Sequence, residues 1–221
     1  MEPTLWWRDD DAGAWTLALA RLVALAVRHG VPLAVAAVPM QVTDEAKAQL
    51  LAAPGVTLLL HGHSHTNHAP ASAKKAEFGP HRPLPAMIAE IAEARRRLPE
   101  AAPVFVPPWN RIDPGLAAAL PSLGLHGLST HGRKTVDVPG VRQINTTVDP
   151  IDWHNGRRFQ GAAATRAALV AAQPHGPVGL LTHHAVMDED MWRFLDDFLR
   201  ESSRLGGAHW SSADQLFTIP A

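Results

Sequence analysis

The 221-residue chain contains no cysteine, which excludes disulfide bonds and thiolate metal sites. It has no apolar run approaching the roughly 20 residues that a membrane span requires. The first residues lack the basic start and long apolar stretch of a signal peptide, so we expect a cytoplasmic protein. The formal net charge is −1, and no broad basic surface is expected. Neither nucleic acid nor a membrane is therefore a predicted partner, and the oligomeric state stays open.

The chain is 46% hydrophobic, which is enough for one sizeable core. Short apolar runs, bounded by turn residues, alternate with segments whose apolar residues have helical spacing. Such runs are typical of the buried strands of a parallel sheet. About seven strand–helix units without a second composition regime predict a single α/β domain over residues 1–221, either open or barrel-like.

Four polar clusters each follow directly behind an apolar run of this kind. The runs are residues 4–7, 56–60, 104–106 and 178–181, and the clusters are residues 8–11, 61–68, 107–111 and 183–184. In folds built from repeated strand–helix units, functional side chains gather at the carboxyl ends of the strands. Four such clusters in order predict a single site.

The first two clusters indicate a metal site. Three consecutive aspartates repel one another, and a divalent cation would remove that cost, although a solvated turn that caps a helix would explain them equally well. Because side chains alternate along a strand, Arg8 and Asp10 should share a face, which leaves Asp11 free to turn toward a metal. His61 and His65 are four residues apart, and neutral imidazole is a common zinc ligand. His63 and His68 are further candidates.

The later clusters offer groups that could act on a substrate. Pro107 and Pro108 have no N–H, so the first free backbone donor belongs to Trp109 and suits an oxyanion hole; a plain strand-to-helix connection is the alternative. Trp153, beside two carboxylates, is either a wall of a substrate pocket or a core residue. His183 at a strand end is placed as a general acid, and a structural histidine is the alternative.

Taken together, these segments resemble the polysaccharide deacetylase family of carbohydrate esterases, whose domain is also called NodB-homology. The matching segments, in the family's order, are Asp10-Asp11, His61-Gly62-His63-Ser64-His65, residues 106–110, residues 149–153 and Leu181-Thr182-His183. They span residues 8–184, most of the chain. The resemblance implies a single-domain distorted (β/α) barrel of about seven strands.

The resemblance also implies metal-dependent deacetylation of an N-acetylated sugar or a related amide by attack of a metal-bound water. Asp11, His61 and His65 would hold one divalent metal, with zinc as the first choice. Asp10 would deprotonate the water and His183 would protonate the departing amine. The residues that would bind the substrate or the oxyanion are Trp109, Asn110, Arg111 and Trp153.

The chain departs from the family pattern at several positions. Val106 stands where the family has an arginine that orients the base, so another arginine must do this; Arg8 is favoured over Arg111 and Arg82. Asp9-Asp10 is an alternative register for the base and ligand pair. His184 replaces an acidic residue often found there, and its role is open. These departures indicate a divergent cytoplasmic subgroup acting on a small-molecule or glycan substrate.

Two other classes of function stay open. The His61-x-His63 pair is superficially similar to that of amidohydrolases and of phosphoesterase-type metallohydrolases, although those folds usually place the pair after the first strand. A catalytically inactive sugar-binding domain is the second alternative, and the missing arginine supports it. The retention of a candidate base and of His183 argues against inactivity.

Overall fold

A computed structural model of the protein describes residues 3–133, 137–204 and 209–218. The strands are β1 (Thr4–Ala12), β2 (Leu33–Ala37), β3 (Val56–His61), β4 (Val104–Val106), β5 (Gly127–Leu128), β6 (Arg142–Gln143), β7 (Ile151–Asp152), β8 (Arg158–Phe159), β9 (Val178–Thr182) and β10 (His209–Trp210). The helices are α1 (Leu17–His29), α2 (Asp44–Ala52), α3 (Leu84–Arg97), α4 (Pro114–Ala119), α5 (Ala162–Ala172), α6 (Glu189–Arg204) and α7 (Ala213–Phe217). Of the helices in these ranges, none is long and apolar enough to cross a membrane.

The main sheet is parallel and curls into a distorted (β/α) barrel. Its order is β10-β1-β2-β3-β4-β5-β6, and β9 pairs with β1 as well. Two isolated parallel bridges lie between β6 and β9. His131 pairs with Thr146, and Val148 pairs with Leu180 of β9. The carboxyl ends of the strands therefore come round to one rim. The predicted fold class is confirmed.

The two faces of the sheet bury different cores. The inner cluster packs Trp6 of β1 against alternate residues of β2, β3 and β4 and against α7. The outer cluster packs Leu5 and Trp7 of β1 against the surrounding helices. Strand alternation therefore directs even-numbered residues of β1 toward the inside of the barrel and odd-numbered ones toward the helices.

The structure contains elements beyond the predicted ones. Strand β1 extends beyond the apolar run at residues 4–7 and continues through the three aspartates to Ala12. The short strand β10, the β7–β8 hairpin and α7 were not predicted either, because each is too short to show a clear period. Helix α7 matters for the fold because its buried Leu216 and Phe217 belong to the inner cluster.

Candidate metal and catalytic site

Arg8 and Asp10 form a fully enclosed ion pair at the end of β1. Arg8 is 0% exposed and Asp10 is 2% exposed. Nε and Nη2 of Arg8 donate to the two carboxylate oxygens of Asp10 at 2.8 and 2.9 Å. The remaining donors of the guanidinium reach Ser129 Oγ at 2.5 Å, Thr130 O at 3.2 Å and Asn110 Oδ1 at 3.0 Å. Such two-pronged pairing fixes the position and the orientation of the carboxylate.

A left-handed residue breaks the alternation of β1 at Asp11. Alternation alone would place Asp11 on the same face as Asp9, toward the helices. Instead Asp11 has φ 71°, and the pairing register of β1 with β2 shifts between Asp9 and Ala12. Aspartate tolerates this conformation better than most residues. The bulge turns the Asp11 carboxylate toward β3.

Asp11, His61 and His65 bring three ligand atoms within 4.8 Å of one another. Asp11 Oδ1 lies 3.0 Å from His61 Nε2 and 3.1 Å from His65 Nε2. Nδ1 of His61 donates to the Val106 carbonyl at 2.9 Å, and a neutral ring with this tautomer would leave the lone pair of Nε2 for a metal. His63, a further candidate, instead lies against Glu93 of α3 at 3.3 Å.

Charge coupling within this cluster is strong. Burial raises the pKa of Asp11, but the hydrogen bonds and charges of His61 and His65 outweigh it and hold this pKa below its ordinary value. Burial lowers the pKa of His61, yet Asp11 and the charge of Asp10 shift it upward overall. A carboxylate that stays ionised beside two imidazoles is a suitable donor set for a divalent cation.

The proline segment after β4 makes a sharp turn against the Asp11–His61–His65 cluster. Pro108–Asn110 is a single 3-10 turn in which Trp109 has φ 55° and Asn110 has φ 57°. The Trp109 ring lies 4.3 Å from the His65 ring, centroid to centroid. The turn also delivers Asn110 to the guanidinium of Arg8. The oxyanion role of Trp109 and the substrate role of Asn110 stay predictions.

The three arginines considered as supports for the base lie in different places. Arg8 is bonded to Asp10, as described above. Arg82 is paired with Glu90 of α3 at 2.5 Å. Arg111 donates to the Lys75 carbonyl at 2.7 Å, which ties the proline turn to the long loop after β3. The structure gives no contact of Arg111 that bears on its predicted substrate role.

Asp9 belongs to a separate buried network on the helix-facing side of β1. It is 0% exposed and accepts hydrogen bonds from Thr182 Oγ1 at 2.7 Å, His184 N at 3.0 Å and His184 Nδ1 at 2.5 Å. Thr182 in turn accepts from Trp7 Nε1 at 2.9 Å. The network holds β1 to the end of β9. The group of residues that could hold a metal ion contains Asp11. The choice between the Asp10-Asp11 and Asp9-Asp10 registers stays a prediction.

His183 and Trp153 stand side by side at the rim. Their rings meet edge to face at 4.7 Å, and Trp153 is 39% exposed. Trp153 Nε1 donates to Asp149 Oδ2 at 2.7 Å. His183 Nδ1 is buried and has no hydrogen-bond partner among the described residues. The general-acid role of His183 stays a prediction.

The sequence interpretation missed three residues near these groups. Ser129, directly after β5, accepts from Arg8. His131 lies close enough to Asp149 and Asp10 for their charges to raise its pKa, although burial dominates and lowers that pKa overall. Glu77 is 0% exposed within the loop after β3. The strand before Ser129 and His131 is two residues long, and Glu77 lies in an irregular loop, so none of them carried a clear signal.

Protein-family models and curated proteins give no match to the sequence, but solved structures do match its fold. A candidate polysaccharide deacetylase from Mycobacterium smegmatis matches with TM-score 0.73 at 13% identity, covering 97% of this chain and 88% of its own. A family 4 carbohydrate esterase from Streptomyces lividans, solved with acetate, matches with TM-score 0.64 at 13% identity over 100% and 97%. This chain has the polysaccharide deacetylase fold.

A third match bears on whether that fold implies activity. A mutant of a CE4 family pseudoenzyme matches with TM-score 0.67 at 13% identity, covering 98% of this chain and 68% of its own. The deacetylase fold therefore occurs in a pseudoenzyme too. Function must be argued from the side chains of this chain.

Replacing Asp9 by Asn should destabilise the protein by roughly 3 kcal/mol, because it leaves buried His184 without its counter-charge. Burial lowers the pKa of His184, but Asp9 raises it overall. The protonated His184 ring therefore stabilises the fold at pH values below the pKa that His184 has in the unfolded chain. This stabilisation is lost as the pH rises through the higher pKa of His184 in the folded protein. Urea unfolding should show a larger difference in the free energy of unfolding between wild type and Asp9→Asn near pH ~6 than near pH ~9. A difference that is larger at the higher pH would contradict this account.

Proposed function

We propose that this protein is a metal-dependent hydrolase that removes an acetyl or similar acyl group from the nitrogen of an N-acetylated sugar or related amide. The proposal rests mainly on two groups of side chains that lie together at one rim of the barrel. One is the Asp11–His61–His65 cluster, and the other is the Asp10 carboxylate clamped by Arg8. The polysaccharide deacetylase fold supports the same class of reaction.

The three ligand residues fit a divalent metal, and zinc is the first choice. They offer one carboxylate oxygen and two imidazole nitrogens, with the His61 tautomer set by the Val106 carbonyl. A set of three protein ligands leaves a coordination position open, as catalytic zinc sites do. A metal bound there would polarise the acyl carbonyl and ease the deprotonation of water.

The remaining residues supply the proton transfers of amide hydrolysis. Asp10 takes a proton from the attacking water as the new carbon–oxygen bond forms. Arg8 holds the Asp10 carboxylate in a fixed orientation through two hydrogen bonds. The Trp109 N–H would donate to the oxygen that becomes negative. His183, when both ring nitrogens carry a proton, gives its Nε2 proton to the nitrogen as the carbon–nitrogen bond breaks, so that a carboxylic acid and an amine leave.

Two indole rings support a glycan or a similar amphipathic substrate. Trp153 is partly exposed beside His183, and Trp109 packs on His65, so both line the rim that carries the reacting groups. Aromatic faces of this kind provide apolar walls for an acetyl methyl group or a sugar ring. Arg111 and Asn110 keep their predicted place among the residues that bind the substrate or the oxyanion.

Binding without turnover is the second candidate function, and one observation favours it. His183 Nδ1 has no partner among the described residues, while both oxygens of nearby Asp149 are taken, by Trp153 Nε1 and by the Ile151 N–H. The ring therefore lacks the carboxylate that usually orients a catalytic imidazole. A protein that binds N-acetylated sugars but releases no acetate from any of them, with zinc present, would have this function.

The test of the proposed function compares acetate release and zinc content in Asp10→Asn and Asp11→Asn. Asp10→Asn should lower turnover by roughly 10²–10⁴-fold and keep the metal, because it removes the base alone. Asp11→Asn should lose the metal along with the activity. Acetate release from N-acetylated sugars and metal analysis of the purified variants measure both effects. Loss of zinc from Asp10→Asn would instead make Asp10 a ligand.

Replacing Arg8 by Met should move the acid limb of the pH–rate profile to higher pH. A carboxylate that loses a neighbouring positive charge takes up a proton more readily. The profile of kcat/KM against pH measures this shift. Arg21→Met is a control, because Arg21 of α1 is paired with Glu189 of α6 and contacts none of the residues of the site named above. An acid limb that does not move in Arg8→Met would show that Arg8 does not support the base.

Replacing His183 by Ala should reduce amide hydrolysis by roughly 10²–10⁴-fold, because an amine leaves poorly without a proton. An activated aryl acetate, whose leaving group needs no proton, should lose far less. Rates on both substrates and the zinc content of the variant measure the effect. Equal losses on the two substrates, or loss of zinc, would give His183 another role.

A further inference from the structure

The loop that carries His65 is folded around a buried carboxylate. Glu77 is 0% exposed, yet it lies 12 residues further along the same irregular loop. Its Oε1 accepts from Ser64 N at 2.8 Å and Ser64 Oγ at 3.0 Å, with Thr66 N at 3.5 Å. Its Oε2 accepts from His63 N at 3.2 Å. The two oxygens therefore bind the backbone on both sides of Ser64.

The backbone around Glu77 has the form that binds anions. Gly62 has φ 61° and His65 has φ 58°, so left-handed residues flank the stretch whose N–H groups converge on the carboxylate. Concave sets of successive N–H groups of this kind bind anions in many proteins. Here the anion is a side chain of the protein. A Cβ added at Gly62 would lie 2.2 Å from Glu77 Oε2, which shows how closely the carboxylate approaches.

The segment around Glu77 is itself held by contacts with α3 and with the residues before α4. The Phe78 carbonyl accepts from Asp113 N at 2.8 Å, and Phe78 is buried. Arg82 Nη1 donates to the Glu77 carbonyl at 3.1 Å, while Arg82 also pairs with Glu90 of α3. Because Glu77 is fixed in this way, its carboxylate also fixes the backbone of residues 63–66, which includes His65.

We propose that Glu77 is a positioning residue for the metal site, one that holds the backbone at 63–66 so that the left-handed His65 presents Nε2 to Asp11 and His61. The inference rests on the proposed function, because it assigns Glu77 to the metal site of that hydrolase. His65 lies in irregular backbone, whereas His61 and Asp11 lie in strands. Without the carboxylate, the N–H groups of His63 and Ser64 would lose their acceptor, and His65 would lose its fixed direction.

The test measures zinc binding to metal-free protein by calorimetry in wild type, Glu77→Gln and Glu93→Gln. Glutamine keeps the size of Glu77 but turns an NH₂ group toward backbone donors, so zinc affinity should fall about 10–100-fold. Glu93→Gln is the matched control. Glu93 is half-buried and contacts the side chain of His63 on the same loop without touching the backbone that Glu77 binds, so its variant should bind zinc like wild type. A purely structural role would lower the melting temperature without changing the affinity of folded molecules.

Equal zinc affinity in Glu77→Gln and wild type would overturn the inference and leave the proposed function standing. Failure of wild type to bind zinc would remove the metal from the proposed function itself. Should Glu77→Gln not fold, amide hydrogen exchange of metal-free wild type decides the matter. The N–H groups of His63 and Ser64 should be protected, because Glu77 accepts from them without any metal. Exchange as fast as in an open peptide would overturn the inference.

Discussion

The path of β1 is the constraint on which the rest of the site depends. The strand enters the barrel with regular alternation, which places Trp6, Arg8 and Asp10 inside and Trp7 and Asp9 against the helices. A left-handed residue at Asp11 then ends the alternation and turns the third carboxylate toward His61 and His65. A strand that kept its regular period would send Asp11 to the helix side, away from both histidines.

Three neighbouring aspartates thus acquire three environments. Asp9 is neutralised by His184 and holds β1 to β9, Asp10 is neutralised by Arg8, and Asp11 faces two imidazoles. Each environment supplies a partner that offsets the desolvation of a buried or half-buried carboxylate. The repulsion expected between consecutive aspartates is avoided because each side chain leaves the strand in a different direction. This division suits a site that needs a base and a metal ligand side by side.

The features that follow from a regular spacing of apolar and polar residues could be predicted from the sequence. Strands ending in polar clusters predicted a parallel α/β domain, open or barrel-like, with one site at the strand ends, and the family resemblance implied the barrel. Two-residue alternation placed Arg8 beside Asp10. The bulge at Asp11 could not be derived in this way, because no period encodes a single left-handed residue. Glu77 was missed for a related reason, since its contacts join irregular segments and depend on backbone direction. Helix α7 was missed because five residues are too few to show a helical period.

A crystal structure of the protein soaked with zinc would test the central claim most directly. The account predicts anomalous density for one ion bound by Asp11, His61 Nε2 and His65 Nε2 at about 2.0–2.2 Å, with Asp10 still bonded to Arg8 and outside the coordination sphere. An ion held elsewhere, or Asp11, His61 and His65 pointing apart in the presence of zinc, would contradict it.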